Sequence, residues 1–317
     1  MAWRGQRRGW DGGVVMVTTV PTPSRPYAKL KSTQLPSVTT VLNELGKPGL
    51  HFGSAKESAL FAVFHQDQWT HLADDEAVRR IQTHFQGLWN SAAAWGTLTH
   101  SAIEHFAAGE DVTVAQLVEH VMATDRNAQL WKGEPMGDLV EKALGYVVGA
   151  EQWWDAFAPE VTWSEAVVRA PGLYVGTCDM RARIYAKWPT DGYEGVQDVL
   201  LDTKTTSRRE EDKGYYLDSW SLQLHGYACA REVVHYEAAE DDKGRVHVEE
   251  VGTEPWTLPQ RLAVLHLRGD TQFGFYEIPF SINTYNRFVD LCAIHQWRKA
   301  LPKVPQRIER VEEGARG

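Results

Sequence analysis

An aspartate and a lysine two residues apart, at the end of an apolar run, could do chemistry. In Val199-Leu200-Leu201-Asp202-Thr203-Lys204-Thr205-Thr206 the run reads as a strand. Strand side chains alternate faces with a period of two, so Asp202 and Lys204 project together. A carboxylate and an ammonium at the end of a buried strand are costly to desolvate. A metal ion with a phosphate would hold them. Taken alone, the pair reads as an incidental ion pair on a surface strand, because so short a motif recurs by chance.

Other residues share this character. Asp179 follows Gly176-Thr177-Cys178, where the glycine lets the backbone turn or approach closely. A hairpin joining the two strands would bring Asp179 and Asp202 to one hard divalent ion, which prefers oxygen ligands. The plainer reading of Asp179 is a turn residue. Arg181 and Arg183, on the face of Asp179, read as salt-bridge partners ahead of phosphate contacts. His100, in Gly96-Thr97-Leu98-Thr99-His100, is a candidate ligand on a helix, although a lone helical histidine is more often a satisfied buried group or a surface residue. Glu104, one turn further, is the weaker alternative. Gln223 and Tyr227 share a helix face at i, i+4 spacing. Glu165 reads as a metal ligand, a group supporting one, or the polar face of an edge strand. Arg208, Arg209 and Lys213 form a local basic cluster beside Lys204, either a solvated loop or a contact to a DNA backbone. His225, His235 and His247 lack ligand spacing and read as structural.

The elements that must position these residues change character at Pro159. Residues 1–34, rich in Gly, Pro, Arg and Thr, read as a disordered arm, and Met16 is an alternative start. Ser37 caps a short helix from Val38 to Leu45. Apolar residues at 3–4 spacing predict helices over 55–68, 74–88 (with Asp74 as cap) and 91–107. Thr113 caps another through Met122, 125–133 is a loop, and 136–157 is the longest helix. Beyond Pro159 the period is two. Strands are predicted over 161–169, 173–186 and 196–203, then a helix over 217–233. A hairpin tip at 241–244, strands near 246–250, 262–268 and 273–278, and a helix over 282–300 complete the chain. Residues 35–300 form one domain, helical over 35–135, and 301–317 is a mobile charged tail. From residue 136 the order is α-β-β-β-α-β. The fold class is α+β.

Composition sets the bounds. The chain has 317 residues, 43% hydrophobic and 24% charged, with 13 Trp, enough for a substantial core. The formal net charge of -9 argues against a protein that coats nucleic acid non-specifically. It leaves a nuclease open, since a metal-binding carboxylate cluster is itself acidic. Three scattered cysteines, Cys178, Cys229 and Cys292, imply no disulfide framework and a reducing cytoplasm. No apolar run approaches the roughly 18 residues of a membrane span, and the N-terminus is not a signal peptide.

In order, Gly96-x-x-x-His100, Glu165, Gly176-x-x-Asp179, Asp202-x-Lys204 and Gln223-x-x-x-Tyr227 resemble the RecB-like branch of the PD-(D/E)XK nuclease superfamily. The α-β-β-β-α-β order is similar to that superfamily's restriction-endonuclease-like core. Leu35-Pro36-Ser37-Val38-Thr39-Thr40-Val41-Leu42 is similar to the opening of phage-encoded RecB-like exonucleases. The resemblance covers residues 35–300. It implies a metal-dependent DNA exonuclease acting in recombination or repair. His100, Asp179, Asp202 and the Thr203 carbonyl would hold Mg²⁺ or Mn²⁺. Lys204 would orient the attacking water, and Gln223 and Tyr227 would brace the site or hold the strand. DNA is the implied partner, with a helicase or single-strand annealing protein beside it, since no GxxxxGK[ST] motif supplies a motor here. Iron-sulfur members carry four cysteines; this chain has three at other positions, so no cluster is expected. A structure-specific endonuclease on the same fold, or a non-catalytic DNA-binding protein, are the alternatives.

Overall fold

The computed structural model describes residues 35–46, 48–206, 217–240 and 246–301. The predicted arm 1–34, the tail beyond residue 301, the tip at 241–244, and Arg208, Arg209 and Lys213 lie outside the described residues.

The helical half opens with α1 (Val38–Leu42), continued by a 3-10 turn over Asn43–Leu45. The Ser37 side chain accepts from the Thr40 N–H at 3.0 Å and caps it. Then follow α2 (Pro48–Phe64), α3 (Asp74–Ala108), α4 (Val114–Thr124) and α5 (Met136–Phe157). The helices expected over 74–88 and 91–107 are one continuous α3 of 35 residues. Trp89-Asn90 contains neither Pro nor a left-handed residue, and the lone Gly87 is tolerated within a helix. Ala73, not Asp74, is the N-cap; Asp74, Asp75 and Glu76 occupy the first turn, where carboxylates suit the helix dipole. Gly109, at φ 73°, ends the helix in the left-handed region. Thr113 caps α4 in a reciprocal capping box with Gln116. The expected loop at 125–133 contains 3-10 helix over Arg126–Gly133.

Strands β1 (Glu160–Ala170), β2 (Tyr174–Lys187) and β3 (Glu194–Thr206) form an antiparallel meander. Helix α6 (Leu217–Ala228) follows, then β4 (Glu232–Glu240), β5 (Val246–Pro255), β6 (Arg261–Arg268), β7 (Phe273–Ile278) and α7 (Ile282–Ala300). The helix expected over 217–233 stops five residues early, because Arg231 donates its N–H to the Arg169 carbonyl and starts β4 against β1. The sheet order is β5-β4-β1-β2-β3-β6-β7. Strand β6 lies parallel to β3, while the β4–β5 pair extends the sheet beyond β1. The α-β-β-β-α-β succession is present, and the fold is α+β.

Each sheet face buries a core. On one, Leu200, Leu262 and Val264 meet Val38 and Val41 of α1, Leu224 and Tyr227 of α6, and Phe288 of α7. On the other, Met180, Val199, Leu201 and Leu265 meet Ile103 of α3 and Trp153 of α5. A third core joins α3, α4 and α5 around Trp131 and Leu139. Among the described residues no helix is long and apolar enough to cross a membrane.

Candidate metal centre

The site forms where the alternation of two strands breaks. Cys178 packs into the core on the α6 face and Met180 into the core on the opposite face. Residues two apart on a regular strand share a face, so β2 changes phase at Asp179. Facing it on β1, Glu165 takes φ 51°, the left-handed region that costs a non-glycine residue about 1–3 kcal/mol. Ladder pairing of β2 with β3 ends at Met180–Leu201. The Asp179 carboxylate takes over, accepting the Thr203 N–H at 2.6 Å.

Helix α3 brings His100 over this break. Its Nδ1 lies 3.6 Å from Asp179 Oδ2 and 3.9 Å from Glu165 Oε1. Ligand atoms of His100, Glu165 and Asp179 all lie within 4.8 Å of one another. Gly96, one turn before His100, is where α3 passes β3; a methyl there would make an ordinary contact with Thr205 Oγ1 at 3.4 Å.

Asp202 is beside this trio, not within it. Its side chain is 1% exposed and paired with the Lys204 ammonium through Oδ2, while Gln223 Nε2 donates to its Oδ1 at 3.0 Å. The same Gln223 amide donates to the Tyr227 hydroxyl at 3.0 Å. Glu165 is on an interior strand, not an edge strand. Arg181 is a structural cation: its guanidinium bonds Asp198 at 2.9 Å and the Thr257 carbonyl at 2.9 Å and lies over Trp256. Arg183 pairs with Glu160 at 3.2 Å. His225 is likewise structural, bridging the Ser221 carbonyl and the Ser281 N–H.

Burial and close charges shift the titration of the groups around the site. Burial opposes a charged His100, yet Asp179 and Glu165 outweigh it and push its pKa up to about 9. Burial pushes Asp202 up to about 6; Lys204 opposes the rise and Asp179 adds to it. Glu104, one helical turn beyond His100, is pushed up to about 7 by burial and then by Glu165, with His100 opposing. The i, i+4 spacing from His100 is the signal in the sequence that marks Glu104. Burial first, and neighbouring carboxylates after it, make Asp202 and Glu104 hold a proton more tightly than usual beside an imidazole that favours its charged form. One imidazole and two carboxylates suit a divalent ion bound through nitrogen and oxygen. These three residues could hold a metal ion. Cys178 and Cys292 are buried and Cys229 is partly so; burial raises all three thiols, away from the thiolate form that metals and clusters need.

No family model and no curated protein matches this chain. Among solved structures, one titled "Crystal structure of SSO0001" is similar at 16% identity, over 70% of this chain and 91% of that chain, with a TM-score of 0.28. So low a score carries no argument about fold or function.

Proposed function

We propose that this protein is a metal-dependent deoxyribonuclease, an exonuclease that hydrolyses phosphodiester bonds at DNA ends in recombination or repair. The observation that carries the reading is the convergence of His100, Glu165 and Asp179 from α3, β1 and β2 within 4.8 Å, beside the Asp202–Lys204 pair of β3. Supporting it is the resemblance of the five motifs to RecB-like nucleases of the PD-(D/E)XK superfamily.

In this reading His100, Glu165 and Asp179 hold Mg²⁺ or Mn²⁺, with Asp202 and the Thr203 carbonyl next to them. The bound ion would polarise the scissile phosphate and acidify a water. Lys204, 23% exposed and paired with Asp202, would present its ammonium to that water and stabilise the charge that develops. Gln223 holds Asp202 in place, and Tyr227 holds Gln223. Asp179 ties β2 to Thr203, which keeps the carboxylates aligned. DNA is the partner, together with a helicase or an annealing protein that presents ends. The site and fold serve a structure-specific endonuclease equally well, and circular DNA separates the two.

Lys204→Ala and Asp202→Ala, assayed on end-labelled linear DNA with Mg²⁺ or Mn²⁺, are expected to lose cleavage. Undiminished cleavage by both variants sinks the assignment. Resistance of covalently closed circular DNA to the wild-type protein supports an exonuclease, and its linearisation supports an endonuclease.

A further inference from the structure

Helix α6 crosses three strands, and its sheet-facing turns land on a different strand each time. Tyr227 lies against Gly176 of β2, and Gln223 bonds Asp202 of β3. Trp220 meets His266 of β6, ring centroids 5.6 Å apart and tilted by 54°. Positions 220, 223 and 227 make one helical face. The first two landings belong to motifs already described, but neither Trp220 nor His266 belongs to any of them.

Strands β3 and β6 run parallel, and His266 is the register partner of Lys204. Partners on neighbouring strands carry their side chains on one face, about 4.8 Å apart. The imidazole therefore stands beside the lysine stem. It is 9% exposed, and the Trp220 ring backs it. A lysine stem holds about 2 kcal/mol of rotamer entropy, so an ammonium that must meet one water gains from a rigid wall. Asp202 confines Lys204 along its own strand, and His266 confines it from the next.

We propose that His266, braced by Trp220, is a positioning residue for Lys204. It keeps the ammonium at the edge of the His100–Glu165–Asp179 cluster. This rests on the nuclease reading of the site. The wall acts through shape, so a ring at 266 matters more than its nitrogens.

The test is steady-state cleavage of end-labelled linear DNA with Mn²⁺ by the full chain carrying His266→Ala, His266→Phe or Trp220→Ala. His266→Ala is expected to lower kcat about tenfold with KM within about twofold, because a misplaced reacting group costs turnover and not binding. Trp220→Ala should move kcat in the same direction. His266→Phe, which retains a ring against Trp220, should keep kcat within about threefold of wild type. Mn²⁺ affinity measured by calorimetry should be unchanged in all three. Wild-type kcat in His266→Ala, or an effect on KM alone, overturns the proposal. If His266→Ala fails to fold, Trp220→Ala with wild-type kcat overturns it, as does a stably folded His266→Phe that loses tenfold. Cleavage that needs Lys204 but is indifferent to these variants leaves the nuclease reading standing without this role. A wild-type chain that cuts no DNA removes both.

Discussion

Gly176→Ala tests whether close packing beneath the site controls its chemistry. The backbone at Gly176 is not left-handed, so its requirement is space. A methyl there would stand 2.6 Å from Tyr227 Cε1 and 2.9 Å from Val38 Cγ2, against the 3.5–4.0 Å of an ordinary carbon contact. Both neighbours are buried, at 3% and 0% exposure, so neither can swing into solvent. The Tyr227 ring must shift by about 1 Å. Overpacking of this kind costs about 2 kcal/mol, a fall of roughly 4–8 °C in melting temperature. The same shift takes the Tyr227 hydroxyl out of reach of Gln223 Nε2, now at 3.0 Å. Gln223 then loses the brace that Tyr227 gives it and holds Asp202 less firmly. A neutral hydrogen bond contributes about 0.5–1.5 kcal/mol, so turnover should fall by roughly twofold to tenfold. The assay is cleavage of linear DNA by folded protein, paired with thermal melts. Gly145→Ala is the control: its methyl would overlap the Gly269 carbonyl, straining α5 against the β6–β7 turn far from Asp202. It should lower stability and leave kcat alone. A Gly176→Ala protein that melts and cuts like wild type refutes the reasoning, as does an equal loss of turnover in Gly145→Ala.

Glu165→Gly should raise stability by about 1 kcal/mol, because glycine adopts the left-handed backbone at this position without cost. It should also weaken Mn²⁺ binding; unchanged affinity in calorimetry counts against Glu165 as a ligand. Asp198→Ala leaves the Arg181 guanidinium without its carboxylate partner and should cost about 2 kcal/mol in urea melts, less than a fully buried pair because Asp198 is 28% exposed. The Mn²⁺ affinity of that variant should match wild type. Glu44 accepts from His295 at 2.9 Å and pairs with Arg298, and the His295 hydrogen bond and then Arg298 hold its pKa below 4.5. A lowered carboxylate contributes stability that is present above its unfolded pKa and lost as pH falls through the folded one. The melting-temperature gap between wild type and Glu44→Gln should therefore be full near neutral pH and close in acid below 4.5; a gap that persists in acid would contradict the linkage.

Local pattern was legible wherever one interaction range decided the outcome. The helix over Met136–Phe157 carries a stripe from Leu139 to Trp153 that nothing interrupts, and its expected bounds match the structure. The same holds for Phe273–Ile278 and Ile282–Ala300. Sequence reading failed where tertiary pairing competes with periodicity. Val233 ends the helix expected over 217–233, yet it belongs to β4, where it pairs with Val168 of β1. The gap placed at Trp89-Asn90 has no backbone cause, and α3 runs through it.

The sequence by itself determined which side chains are available and their order: His100, Glu165, Asp179, Asp202, Lys204, Gln223 and Tyr227. It also determined the pairing of Gln223 with Tyr227, because i, i+4 is a property of the helix alone. The tertiary structure decided which carboxylates converge. Glu165 joins His100 and Asp179 because β1 turns left-handed and β2 changes phase at the same level, whereas Asp202 is drawn to Lys204 and Gln223. It also set His266 beside Lys204, through a parallel pairing between strands that are 62 residues apart at Lys204 and His266. No local spacing encodes that neighbour, because it exists only once α6 has carried the chain across to β4 beside β1 and the connection from β5 to β6 has brought it back to β3.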